Sequence, residues 1–382
     1  MSPERASLAS QESTEGPRHP WWTVLRRIGS PAIRLMIVAA VVEFALLPQL
    51  AGAREAIHKL SGISPAWLAT GLIAQILSLL AYARLSQIAL DAPGVSYGQL
   101  LRVDLATLAV SHVVPAGSAV GIGLGYRLLT RSGVPSDRAV SGKALQTVGS
   151  AVVLNLMLGG ALVAALVTHG NNPLYAPIAA VGLALILAAT IGAALVARSE
   201  GWLTRTVVRT LQHLPKVDAA SGARLIASLA GTVRRLVGDR RFLLRIIAWA
   251  TVNWLFEAFA LWCCVRAFGH TLGPVGLLVA YGLANVAAAI PITPGGLGIV
   301  EGILVPTLVA FSTTKAVALL GVIAFRLISF WLPIPIGFGS YARLEWQLRH
   351  KQNEPPESTD EGAGEERATE ATVGSQAGED RG

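Results

Sequence analysis

Blocks of apolar residues, each close to the length of a bilayer crossing, constrain this chain more than any other feature. A crossing helix needs about 20 predominantly apolar residues rising 1.5 Å each. Six runs meet that requirement, at roughly 33–50, 64–83, 144–167, 174–197, 243–267 and 316–339. A water-soluble fold would have to cover such blocks with polar surface that this sequence lacks. Of its 382 residues, 53% are hydrophobic and 14% charged, where soluble chains carry about a quarter charged residues. The runs are therefore read as spans of an all-α integral membrane protein.

Two further apolar regions are each cut near the centre by proline and glycine. One is 100–130, broken at Pro115-Ala116-Gly117; the other is 274–311, broken at Pro291-Ile292-Thr293-Pro294-Gly295-Gly296. Their halves, about 13–18 residues, are short for a crossing and suit a re-entrant hairpin. Two ordinary tilted hairpins, giving eight spans, are the alternative. In both cases each region returns the chain to the side it left.

Lys and Arg in the connections set the orientation. Arg18, Arg26 and Arg27 precede the first span. Arg127, Arg131, Arg138 and Lys143 border one loop, and a long series from Arg205 to Arg245 fills the segment before the fifth span. These places are assigned to the cytosol. The connections 169–173 and 269–273 have no Lys or Arg, and with 51–63 they fall outside. Six spans then alternate without conflict, and both termini are cytosolic in a cytoplasmic (inner) membrane protein.

The organisation expected is a disordered cytosolic N-terminus over 1–32, a transmembrane domain over 33–345 and a disordered tail over 346–382. The domain divides into half-repeats at about 33–167 and 174–339, with a basic cytosolic loop at 198–242. The first 30 residues lack the apolar core and cleavage site of a secretory signal. The tail is acidic: from Asn353 to Gly382, nine acids face Arg367 and Arg381, so the overall charge of +8 conceals +15 in the rest. That basic excess flanks apolar runs and is not interleaved with aromatics, which argues against nucleic acid. The basic loop reads either as plain topogenic charge or as a surface helix that docks on anionic lipid or a partner enzyme.

The order span, span, hairpin, span occurs twice. Three spans precede the second set, so its hairpin enters from the opposite side, the inverted-repeat plan of many transporters. Sliding the sequence by 177 positions places Gly121 on Gly298, Ile122 on Ile299, Gly125 on Gly302, Thr130 on Thr307, Ala139 on Ala316 and Val140 on Val317.

Ionisable groups at membrane depth are costly, roughly 2.5–3.5 kcal/mol each at a helix centre, and must face a partner or water. Here they are Glu43, Asp104, Glu257, Glu301 and Arg326, with Arg34, Arg127 and Arg266 nearer the edges. Glu301 lies one turn beyond the Pro294-Gly295-Gly296 break, and Arg326 lies near the middle of the next span, which invites a buried ion pair. A helix beginning at Leu297 would aim its free N–H groups and positive dipole end into the membrane interior, where they suit a phosphate. Gly298 and its neighbours let a head group approach the backbone, and Arg326 offers a planar donor fork. A simple turn and a static ion pair explain the same residues. Asn253, Glu257 and Asn285 line a polar path or hydrogen-bond between helices. Gly121-Ile122-Gly123-Leu124-Gly125 lacks phosphate-loop spacing and reads as helix packing. Cys263 and Cys264 are adjacent and give neither a disulfide framework nor a zinc spacing.

The run from Ile290 through Pro291, Pro294-Gly295-Gly296, Gly298 and Glu301, followed by Phe325-Arg326 and Phe330-Trp331-Leu332-Pro333, resembles the signature of the lysylphosphatidylglycerol synthase transmembrane region family, also called UPF0104 or flippase-like. The resemblance covers roughly 33–345. It implies a membrane region that moves lipid, while the cytosolic synthase domain of some members has no counterpart in this chain. Family members often carry an acid after the first glycine turn; here the slide puts Leu124 opposite Glu301 and Gly149 opposite Arg326. The charged pair is thereby expected in the second half alone. Taken together, the sequence points to a non-enzymatic carrier of an anionic lipid, a phospholipid or a polyprenyl-phosphate-linked precursor, with no catalytic residue, cofactor or metal. The rival of another class is a non-transporting subunit that anchors a glycosyltransferase or lipid-modifying enzyme. An enzyme acting on lipid phosphates lacks the expected constellation of paired carboxylates, Ser-His arrangement or metal cluster.

Overall fold

A computed structural model describes residues 62–114, 117–169, 184, 239–289 and 293–353, and every element among them is helical. In chain order these are α1 (Pro65–Leu90), α2 (Tyr97–Val113), α3 (Gly117–Arg131), α4 (Ser136–His169), α5 (Arg240–Ala267), α6 (Pro274–Ala288), a 3₁₀ turn (Pro294–Gly296), α7 (Ile299–Ala310), α8 (Lys315–Arg326), a π-turn (Leu327–Trp331) and α9 (Pro333–Asn353). Four stretches are long and apolar enough to cross a membrane: Pro65–Leu90, Ser136–Thr168, Arg240–Ala267 and Lys315–His350. They correspond to four of the six expected spans. The other two, 33–50 and 174–197, lie outside the described residues, as do the N-terminal segment 1–32, the loop 198–238 and the tail from 354. α9 continues to Asn353, past the domain edge expected at 345, through helix formers such as Leu344, Gln347 and Leu348.

Local chemistry fixes the helix starts. The Ser96 side chain caps α2 by accepting from the Gln99 N–H at 3.3 Å, and Asp239 caps α5 by accepting from Arg241 and Phe242 at 2.9 and 3.0 Å. Pro65 and Pro274 sit in the first turns of α1 and α6, where a missing N–H costs nothing. Pro333 has the opposite effect. It cannot donate within a continuing helix, and the chain widens into a π-turn in which the Leu332 N–H reaches Leu327 O at 2.9 Å.

α1 and α5 form the central antiparallel pair. The Ser64 N–H donates to Ala267 O at 3.0 Å at one end, Gly71 lies against Cys263 and Ala260 further along, and the Ser78 hydroxyl donates to Asn253 Oδ1 at 3.0 Å. Such contacts follow from the solvent. Lipid offers helices no hydrophobic incentive to associate, so small side chains and interhelical hydrogen bonds do so. The largest apolar core gathers Leu261, Cys264, Tyr281, Leu304, Leu308 and Phe325 between α5, α6, α7 and α8. Large apolar side chains such as Leu156, Val163 and Ile73 face outward.

The broken regions form the pairs α2–α3 and α6–α7, whose limbs of 12–17 residues are shorter than a full crossing needs. In the first, Gly121 and Gly125 are one turn apart and press on Ser111 and Thr107 of α2, which is the packing role read from the glycine stripe. The two tips meet: Val113 at the end of α2 packs with Leu297, Phe330 and Ile334. Three helix ends recur at a spacing of 177. α2 and α6 begin at 97 and 274, α3 and the 3₁₀ turn at 117 and 294, and α1 and α5 end at 90 and 267.

Candidate functional site

Three glycines build the second tip. Gly295, Gly296 and Gly298 have φ of 55°, 71° and 81°, a region that costs an L-residue roughly 1–2 kcal/mol. Space enforces the choice at the first two. A Cβ on Gly295 would overlap the Phe330 ring, and one on Gly296 would stand 2.9 Å from the Ala288 Cβ.

The expected ion pair is present. Glu301 Oε1 lies 2.5 Å from Arg326 Nε, with the two side chains only 4% and 7% exposed. The helix after the glycines begins at Ile299, two residues later than expected, and Glu301 turns back so that Oε2 accepts the Gly298 N–H at 2.6 Å. An acid three residues into a helix can reach its own cap N–H, and the positive end of the helix dipole favours the carboxylate there. Arg326 also donates from Nη2 to Gly295 O at 3.3 Å, which ties α8 to the glycine turn.

Phe330 completes the arrangement from the π-turn. Its ring centroid is 4.2 Å from the Arg326 guanidinium carbon and 4.4 Å from the stacked ring of His112. His112 Nδ1 lies 3.2 Å from the Phe330 carbonyl oxygen. His112 belongs to the tip of the first broken pair, so both tips contribute to one site. Sequence reasoning passed over it because seven scattered histidines show no ligand spacing; the available signal was its place three residues before Pro115.

The three candidates for a polar path separate. Glu257, half-buried on α5, is within electrostatic reach of Arg326 and of the Tyr281 hydroxyl. Asn253 is bound to Ser78, and the Asn285 amide donates to Tyr281 O of its own helix at 3.0 Å. Pro294, Gly295, Gly296, Gly298, Glu301 and Arg326 therefore converge, with Glu257 nearby, while Asn253 bonds across to α1 and Asn285 bonds within α6.

A second buried ion pair lies in the first half, at positions that the slide of 177 does not relate to Glu301 and Arg326. Lys143 Nζ lies 2.6 Å from Asp104 Oδ1, with exposures of 7% and 6%. Ser86 donates to Asp104 Oδ2 at 2.6 Å, and Lys143 also donates to Gln146 Oε1 at 2.8 Å. Lys143 had been read as a loop-border charge. Asp104 and Lys143 both stand two turns past a helix start on the same side, which was the signal for pairing them.

Helices of crossing length with apolar exteriors, short broken limbs between them and charges paired inside define an integral membrane protein of α-helical type. The family model described as lysylphosphatidylglycerol synthase TM region matches residues 32–337, and the chain belongs to that family. It is also similar to a UPF0104 membrane protein of Methanothermobacter thermautotrophicus, at 24% identity over 140 residues, which covers 37% of this chain. The match spans 41% of that relative's length.

Proposed function

We propose that this chain carries an anionic lipid across the membrane and that the second tip, with Glu301 and Arg326, is where the head group binds. The observation that carries the reading is the position of the Glu301 carboxylate. It occupies the seat an incoming phosphate would take, on a helix-start N–H and beside a guanidinium. Glu301 is thus an internal stand-in for the head-group anion, and the described state is the one with the seat filled by the protein itself. Two anions sharing one guanidinium in a low-dielectric interior repel strongly. Lipid binding therefore requires Glu301 to swing off Arg326. Release lets the carboxylate return, which keeps the empty site charge-neutral.

The architecture supports a carrier built as an inverted repeat. The spacing of 177 that aligned glycines in the sequence also relates the end of α1 to that of α5, and the starts of α2 and α3 to those of α6 and the 3₁₀ turn. α1 and α5, the equivalent helices, pack antiparallel, as a two-fold axis in the membrane plane demands. Short limbs that meet at their tips support re-entrant hairpins entering from opposite sides. On this reading the protein binds and moves lipid without a catalytic centre of its own.

Purified full-length protein in liposomes with a fluorescent phosphatidylglycerol tests the reading. Dithionite-accessible label should change faster than in protein-free vesicles. The Glu301→Gln/Arg326→Gln protein, if equally well folded, should fall to background. Transport at the wild-type rate by that double variant would overturn the site, and background rates for wild type would favour a protein that only anchors a partner enzyme.

A further inference from the structure

One face of α1 is polar at every turn. Gln75, Ser78, Tyr82 and Ser86 recur at intervals of three and four, which keeps them on a single stripe of the helix. The stripe rises about 16 Å, roughly half the thickness of a hydrocarbon core. α4 carries Lys143, Gln146 and Ser150 at the same intervals, and α5 carries Asn253 and Glu257 one turn apart. These stripes meet inside the protein. Asp104 of α2 accepts from Ser86 and from Lys143 at 2.6 Å each, and Ser78 donates to Asn253. The register of α1 against α5 pairs Ser64 with Ala267, Gly71 with Ala260 and Ser78 with Asn253, so Gln75 falls one turn further along, beside the level of Glu257. Tyr82 lies within electrostatic reach of both Asp104 and Glu257. Glu257 in turn faces the Tyr281 hydroxyl of α6 and, on α8, Arg326, the partner of Glu301. Polar groups thus succeed one another from the buried Asp104–Lys143 pair to the tip site.

Three members of the succession lack partners. Gln75, Gln146 and Ser150 are 4%, 1% and 5% exposed, yet Gln75 Oε1, Gln146 Nε2 and the Ser150 hydroxyl have no hydrogen-bond partner among the described residues. Polar atoms buried between membrane helices are costly to leave bare, and internal water is what ordinarily satisfies them. A metal cation fits poorly. The Lys143 ammonium already holds Asp104, and no group of three His, Cys, Asp or Glu converges among the described residues. A proton needs no such cage, because carboxylates, hydroxyls and waters hand it along hydrogen bonds.

We propose that this succession is a hydrated proton path, entered from the membrane surface where α1 ends and α2, α4 and α5 begin, and that Glu257 carries the proton at the site. The proposal rests on the reading of Arg326 as the head-group seat. Two acids, Glu257 and Glu301, share one guanidinium there, and an anionic head group adds a third negative charge. A proton taken from water at the entry surface and delivered to the Glu257 carboxylate cancels one of these charges. It is released to water at the opposite surface as the lipid leaves, so one proton crosses with each anionic lipid and the pair is electrically neutral.

Purified full-length protein in liposomes, with a short-chain fluorescent phosphatidylglycerol and albumin extraction to read each leaflet, tests the coupling. Under a pH difference of one unit, label should accumulate in the leaflet facing the alkaline side by up to about tenfold, the ratio of proton activities. An equal sodium gradient at uniform pH should leave the label even. Glu257→Gln should remove the pH response, Glu257→Asp should keep it, and Gln146→Leu should remove it by breaking the path. Rapid but even distribution by wild type under the pH difference, or a response to sodium in its place, would overturn the proton path and leave the carrier reading standing. Exchange no faster than in protein-free vesicles would instead mean that the carrier reading has failed. The path is then decided by hydroxyl-radical footprinting of the full chain in nanodiscs. Tyr82 should be oxidised faster, relative to its intrinsic reactivity, than Phe242, which is buried in the apolar core that Tyr82 packs against, and Gln146→Leu/Ser150→Ala should slow it. Equal protection of Tyr82 and Phe242 would mean a dry interior and would overturn the path.

Discussion

Arg326 holds together three parts of the site: the carboxylate of Glu301, the carbonyl of Gly295 and the face of Phe330. Each of the charged pair is buried, so removing one strands the other. Glu301→Gln and Arg326→Gln are each expected to cost about 3–5 kcal/mol, while the double replacement is close to neutral for folding. Thermal unfolding followed by fluorescence-detected size exclusion should show both single variants falling sharply and the double variant recovering, with transport lost in all three. Full recovery of transport in the double variant would leave the pair a purely structural device. The Asp104–Lys143 pair provides a comparison in the other half of the chain. Lys143→Met should destabilise by a similar amount, and Asp104→Leu/Lys143→Met should regain folding in the same assay.

At the scale of elements, glycines do different work at neighbouring positions of one helix. Gly121 is pressed on Ser111 of α2, whereas a side chain on Gly123 would enter open space. Gly121→Leu should force α2 and α3 apart at a cost of about 1–3 kcal/mol for overpacking. Gly123→Ala should be neutral or stabilise by up to about 1 kcal/mol through helix propensity. Melting temperatures of the two variants in one detergent check the contrast, and equal losses would contradict the packing described for the broken pair. The π-turn belongs to this scale as well. Pro333 denies the helix a donor, and the widened turn sets Phe330 against both Arg326 and His112, so an element break fixes the phase of a site residue.

For the whole molecule, the charge asymmetry and the inverted repeat make a joint claim about sides. In a background with Cys263 and Cys264 replaced by alanine, a cysteine at Thr271 should react with an impermeant maleimide added outside intact cells. A cysteine at Ser136 should react only after permeabilisation. Both positions are exposed at helix boundaries, so reaction of both from the same side would reflect topology and would remove the basis for opposed hairpins. Deleting 354–382, rich in Pro, Glu and Gly, should leave membrane insertion and lipid transport at wild-type level, because such a composition buries too little apolar surface to offset ordering.

The sequence by itself determined that the chain is helical and membrane-embedded, where four of its crossing helices lie, where two apolar regions break, and that Glu301 and Arg326 pair. Those features follow from run length, from Pro and Gly, and from the cost of isolated charge in lipid, all of which are local. Tertiary structure alone decided that Glu301 accepts the Gly298 N–H at the start of its own helix, that Lys143 turns inward to Asp104, and that His112 reaches the second tip through Phe330. The physical reason is rotational phase. In a soluble helix the polar face marks which side is out, but in a membrane both the lipid-facing and the buried side are apolar, so pattern does not reveal which residues face each other. That information resides in close contacts between small side chains and in a few buried hydrogen bonds, and it exists only once the helices are packed.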